Sequence, residues 1–166
     1  MPPRRLSAPP AAAAFLALAL AGCATSIGNI FGSSTPDQPP PAPAPAATIA
    51  PEDLIGRWGF AAYHKPSDRP RIEKAAARQC RHPYTISRGP NGGVVMLTHD
   101  SPRPQELTIK GSASGKNYIG PAGPPGGSED REVVAFDGRV MVLQWVDPEV
   151  AGRYGTAVYV RCGPKA

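Results

Sequence analysis

Three cysteines, Cys23, Cys80 and Cys162, and three histidines, His64, His82 and His99, are the residues of this chain best suited to chemistry. A cysteine near a histidine can act as nucleophile and base. Cys80 and His82, however, are neighbours only in sequence, and a working dyad must meet in space with a third group to orient the base. Cys80, His82 and Cys162, joined by His64 or His99, carry the donor atoms of a tetrahedral zinc site, but their spacings match no usual zinc pattern. In the third reading Cys80 and Cys162 form a disulfide that fastens the end of a helix to the last strand. Closing a loop of about eighty residues contributes roughly 4–5 kcal/mol in the chain-entropy description. Glu129, Asp130 and Glu132 cluster beside Arg131. Paired carboxylates can do acid–base work, but in this Gly-rich stretch they read as a solvated loop. There is no phosphate-cradling loop, nucleophile elbow or metal-ligand motif. The sequence therefore predicts a non-enzymatic protein with no cofactor and no metal site.

The choice among the cysteine readings depends on the compartment. Arg4 and Arg5 precede an apolar run from Ala11 to Ala21, then Gly22 and Cys23. That run is shorter than the roughly 20 residues needed to span a bilayer. A short apolar run behind positive charges and before small residues reads as a signal peptide over residues 1–22. The four residues Leu20-Ala21-Gly22-Cys23 resemble the lipobox of bacterial lipoproteins. The resemblance implies that Cys23 receives a thioether lipid, becomes the new N-terminus and is acylated, with palmitate a typical chain. Ala24, a non-acidic residue, implies by the same resemblance an outer membrane lipoprotein facing the periplasm, with the inner membrane or the cell surface as the alternatives. Each buried lipid CH₂ contributes about 0.8 kcal/mol, and two or more chains make a stable anchor. Export to an oxidising compartment favours the Cys80–Cys162 disulfide.

Residues 23–50 follow as a tether. Pro39-Pro40-Pro41-Ala42-Pro43-Ala44-Pro45 belongs to an extended, semi-rigid spacer, because prolines this dense lack the backbone N–H groups of helix or sheet. Residues 51–166 remain for one folded domain.

Apolar alternation and turn residues dominate that domain. Strands are expected at Leu54 to His64, Tyr84 to Arg88, Val94 to Thr98, Glu106 to Lys110, Asn117 to Gly120, Glu132 to Phe136, Arg139 to Val146 and Tyr154 to Cys162. Gly89-Pro90-Asn91-Gly92-Gly93 marks one hairpin. Asp137-Gly138 marks another, as the centre of a two-residue turn. One helix lies between the first two strands, capped by Ser67 or Asp68, with Pro70 in its first turn and Ile72, Ala76 and Cys80 on one face. Gly120-Pro121-Ala122-Gly123-Pro124-Pro125-Gly126 reads as a mobile loop. The fold predicted is mainly β: a small antiparallel meander barrel of about eight strands with one helix after the first strand.

Gly56-Arg57-Trp58 resembles the opening of lipocalin-type (calycin) barrels and of small bacterial protease inhibitors of similar build. In lipocalins the Trp closes the barrel floor under an Arg from the last strand, so the resemblance pairs Trp58 with Arg161. Gly89 to Gly93 and Asp147 to Gly155 resemble blocks found in lipoproteins of alphaproteobacteria.

The chain has 18 Lys and Arg against 13 Asp and Glu, a net charge of +5. Arg4 and Arg5 leave with the signal, so the mature chain is only mildly basic. Arg71, Lys74, Arg78 and Arg81 form a basic face around the helix, suited to acidic lipids, lipopolysaccharide or an acidic envelope protein. Export excludes nucleic acid as a partner. Two functions are compatible with these features. One is a membrane-anchored binding or interaction module. The alternative is a protease-inhibitor-like or envelope-assembly lipoprotein acting on a protein partner.

Overall fold

The computed structural model describes residues 45–99 and 101–163. Eight antiparallel strands run in sequence order: β1 (Gly56–Tyr63), β2 (Tyr84–Arg88), β3 (Val94–Met96), β4 (Gln105–Gly111), β5 (Asn117–Gly120), β6 (Arg131–Phe136), β7 (Val140–Trp145) and β8 (Thr156–Arg161). Each pairs with the next, and β8 pairs back onto β1 to close a barrel. Closure leaves no sheet edge exposed. The predicted class, a mainly β barrel with a helix after its first strand, is the one observed.

The interior follows from the two-residue period of a strand. Trp58, Ile86, Val94, Met96, Leu107, Ile119, Met141 and Leu143 point inward and form the main core. β7 and β8 are instead apolar at consecutive positions, because both of their faces are covered. Val140, Val142, Val158 and Val160 point outward into a second cluster beneath Ala76 and Ile72 of α2 (Arg69–Arg78). The helix lies against β1 so closely that a Cβ on Gly59 would stand 1.9 Å from the carbonyl oxygen of Ala76. Ile72 and Ala76 thus share a buried face as their spacing predicts. The predicted cap differs: Asp68 makes no side-chain cap bond, and its carboxylate lies 3.4 Å from Arg71.

Chain direction separates the two barrel ends. At one end the connections are tight: residues 89–93, 112–116 and 137–139, plus α1 (Pro51–Leu54) before β1. At the other end they are long: residues 97–104, 121–130 and 146–155.

Four expectations are corrected. Leu54 belongs to α1 rather than to the first strand, and it is fully buried as a plug. A helix, α3 (Pro148–Tyr154), occupies the stretch left between the last two predicted strands and takes Tyr154 from the second of them. Asp147 caps it by accepting from the backbone N–H groups of Glu149 and Val150 at 2.8 and 3.1 Å, and Gly155, at φ +72°, ends it. The β6–β7 turn centres on Gly138 and Arg139. Asp137 instead flanks it, donating its backbone N–H to the Val140 carbonyl and accepting from the Arg139 and Val140 amides with its carboxylate. Finally, the tether ends earlier than residue 50. Ile49 is buried in the core, and Thr48 and Asn117 exchange two hydrogen bonds of 2.8 Å. The expected signal peptide, Cys23 and the expected tether as far as residue 44 lie outside the described residues.

Candidate functional site

The tight end of the barrel is shut. Trp58 and Arg161 face each other in the β1–β8 register, and the guanidinium carbon stands 4.1 Å from the indole centroid. Arg161 also donates to three carbonyls, those of Gly138 (2.7 Å), Ile55 (3.0 Å) and Asp53. Trp58 donates from Nε1 to the Leu54 carbonyl at 2.8 Å. These bonds join α1, β1, the β6–β7 turn and β8 into a floor.

Cys80 and Cys162 are bonded, with Cα atoms 5.4 Å apart. The bond ties the end of the α2 region to the residue after β8, and it removes both thiols from nucleophilic and zinc chemistry. His64 and His82 are exposed. Among the described residues no group of three or more His, Cys, Asp and Glu could hold a metal ion.

Arg71, Lys74, Arg78 and Arg81 are all exposed on or just after α2. Arg71 is held beside Asp68, so it contributes less free charge than the other three.

The acidic cluster is not a solvated loop. Asp130 is 1% exposed and meets Lys110 Nζ at 2.6 Å. Its other oxygen accepts from the backbone amides of Gly126 and Gly127 at 2.8 and 3.1 Å. Lys110 also donates to the carbonyls of Pro121 and Pro124. The Gly-Pro segment read as mobile is therefore pinned at several points by one buried ion pair. Glu132 pairs instead with Lys116 at 3.0 Å, and Glu129 is exposed.

The long-loop end is different. It holds a pocket of about 300 Å³. One wall is aromatic: Phe60, Tyr84 and Tyr159 come from β1, β2 and β8, with ring centroids 5.1 to 6.2 Å apart. The opposite wall is Trp145 at the end of β7 and Tyr154 at the end of α3, with His99 edge-on to Trp145 at 4.8 Å. Burial pushes the hydroxyls of Tyr84 and Tyr159 above the ordinary tyrosine range, so both stay neutral. Tyr84 accepts the backbone N–H of Leu97, which fixes the segment after β3 at the rim.

Arg131 supplies the charge. It opens β6, is 3% exposed, and lies with its guanidinium carbon 4.9 Å from the Trp145 centroid. One of its terminal nitrogens stands 3.4 Å from the Leu97 carbonyl. Its Nε, with Thr98 Oγ1 and His99 Nδ1, is buried without a hydrogen-bond partner among the described residues. Buried polar groups are normally satisfied, so three such atoms around one pocket mark a place where polar chemistry is held ready.

The residues proposed from the sequence thus divide. Trp58 with Arg161 and Cys80 with Cys162 are brought together, and both pairs serve the framework. Of the pocket's residues the sequence singles out only His99, as a zinc candidate, and the structure places it against Trp145 instead; the others were missed. The available signal was register: Val133 points inward on β6, so Arg131, two residues earlier, must point inward too. Compared with known proteins, the chain matches no family, no curated protein and no solved structure.

Proposed function

We propose that this protein is a lipid-anchored envelope module whose barrel binds a small ligand in the pocket at its open end. One observation carries the reading. An aromatic-lined pocket of about 300 Å³ surrounds three buried polar atoms without partners, while the opposite end of the barrel is closed by Trp58 and Arg161. Concave, mostly apolar sites with a few placed polar groups are how proteins hold small molecules. The lipobox at Cys23 supports the anchor, and the Pro-rich segment after it supports a domain held away from an outer membrane surface.

A protein partner is the second reading. Phe60, Leu97 and Tyr154 stand 40–43% exposed around the same end, which suits an apolar contact. The inhibitor-like version, in which the first strand or the segment before it enters a partner's cleft, has less support. β1 is paired on both sides, and Ile49 is already buried in the barrel's own core.

Native mass spectrometry of the protein taken from its host envelope tests the proposal. A bound small molecule, released on unfolding and lost when Trp145 is replaced by Ala, is the expected result. An empty protein that crosslinks through Leu97 and Tyr154 to an envelope protein would transfer the function to the second reading. Cys23→Ser should move the chain from the membrane to the soluble periplasmic fraction; retention in the membrane would remove the lipid anchor.

A further inference from the structure

We infer that the pocket's ligand is a small organic monoanion, a carboxylate on a flat aromatic or compact apolar body, held by Arg131. This rests on the pocket being a ligand site, as proposed above, and adds the chemistry of what enters it.

The inference begins with the cost of a buried charge. Removing an ion from water costs several kcal/mol unless a partner offsets it. Among the described residues, two cationic side chains are nearly buried, Lys110 and Arg131. Lys110 has its offset in Asp130 at 2.6 Å. Arg131 is as deeply placed, yet among the described residues no carboxylate lies within ion-pair distance of it and no Asp or Glu lines its pocket. Its contacts are the Trp145 face, the neutral Tyr159 hydroxyl and one carbonyl at 3.4 Å, none of which carries a compensating charge. The guanidinium lies over the indole, and a guanidinium is the side-chain group that takes a planar carboxylate through two parallel hydrogen bonds.

The neighbours narrow the class. Thr98 Oγ1 can donate to an anionic oxygen, and so can His99 Nδ1 in the tautomer that carries its proton. With a single guanidinium, the site balances one negative charge rather than the two of a phosphate monoester. Phe60, Trp145 and Tyr154 then offer ring faces and edges to the remainder of the ligand. A volume of about 300 Å³ is the low end for ligand pockets. It admits a one- or two-ring acid.

The test uses the mature chain with Cys23→Ser, so that no detergent competes for the pocket. The probes are phenylacetate and indole-3-acetate, each beside its neutral amide, with binding read by calorimetry and by the fluorescence of Trp145. The acids should bind at least about tenfold more tightly than the amides, as charge-assisted hydrogen bonds to a buried guanidinium imply. Arg131→Gln should abolish that difference, and Arg131→Lys should restore part of it. Unfolding midpoints of both variants check that the barrel is intact. Equal binding of acid and amide, or undiminished acid binding by Arg131→Gln, overturns the anion inference and leaves the pocket as a ligand site. Binding of neither class at millimolar concentration overturns the inference, while the presence of a native ligand is decided separately by the mass spectrum.

Discussion

Trp58 and Arg161 are direct partners across the β1–β8 seam, and Arg161 lies over the indole while donating to three carbonyls, two at the end of α1 and one in the β6–β7 turn. The pair therefore closes the barrel in two senses: it joins first strand to last, and it fills the floor. Arg161→Met keeps much of the volume but leaves the carbonyls of Gly138, Ile55 and Asp53 without this donor. A loss of about 2–4 kcal/mol is expected in urea unfolding. Arg161→Lys should recover less than half of it, because an ammonium cannot reproduce the planar fork. Full recovery by Lys would reduce the contact to a point charge.

The Cys80–Cys162 bond closes a segment with a sequence separation of 82. A loop of that length corresponds to about 4–5 kcal/mol of denatured-state entropy, before any native strain is subtracted. Cys80→Ser should lower the denaturation midpoint strongly under oxidising conditions. Under reducing conditions variant and parent should unfold together. A parent that is indifferent to reductant would show that the bond contributes nothing to stability.

Lys110 and Asp130 hold the 121–130 loop from below, and Gly120 makes the space for them: a Cβ there would stand 1.8 Å from the Asp130 carboxylate. Asp130→Asn leaves a buried ammonium uncompensated and should cost about 3–5 kcal/mol. The double replacement Lys110→Met with Asp130→Leu should cost clearly less than the sum of the single changes. Gly120→Ala should resemble Asp130→Asn in amide-exchange protection of the loop. Additive single and double changes would mean that the two side chains do not act as a pair.

The barrel was readable in the sequence because its information is local. Alternation, turn residues and the Ile72–Ala76–Cys80 stripe each need only a few neighbours to be interpreted. The pocket was not readable in the same way. Phe60, Tyr84, Trp145 and Tyr159 lie on four strands, and only barrel closure brings their rings together. Arg131 and Asp130 look alike as charges in a Gly-rich stretch, yet one faces the pocket and the other is sealed under a loop. Burial of that kind depends on Lys110, which lies twenty residues away from Asp130. The α3 helix is a different kind of omission. Its cap Asp147 and N-terminal Pro148 are local signals, overridden in the sequence reading by the β-rich segment that follows.

Two turn carboxylates give the fold an acid-sensitive side. Asp137 is held below its ordinary value of 3.8, first by the Val140 amide and then by that of Arg139. Desolvation raises Glu106, but hydrogen bonds from Gly93 and Asn91 outweigh it and bring the carboxyl below its ordinary 4.5. Glu106 accepts from both backbone amides and from the Asn91 side chain, so it holds the β2–β3 hairpin turn in place. For a carboxylate depressed in the folded state, the stabilisation is complete above the unfolded value and is lost as the pH falls through the folded one. Both groups therefore contribute at neutral pH and cease to below about pH 4.5, progressively. Glu106→Gln should be less stable than the parent at pH 7, and the gap should narrow at a second pH well below 4.5, as the parent's own carboxyl takes up its proton. Denaturant unfolding at the two pH values measures this. A gap of equal size at both would mean that the turn depends on the shape of the side chain and not on its charge.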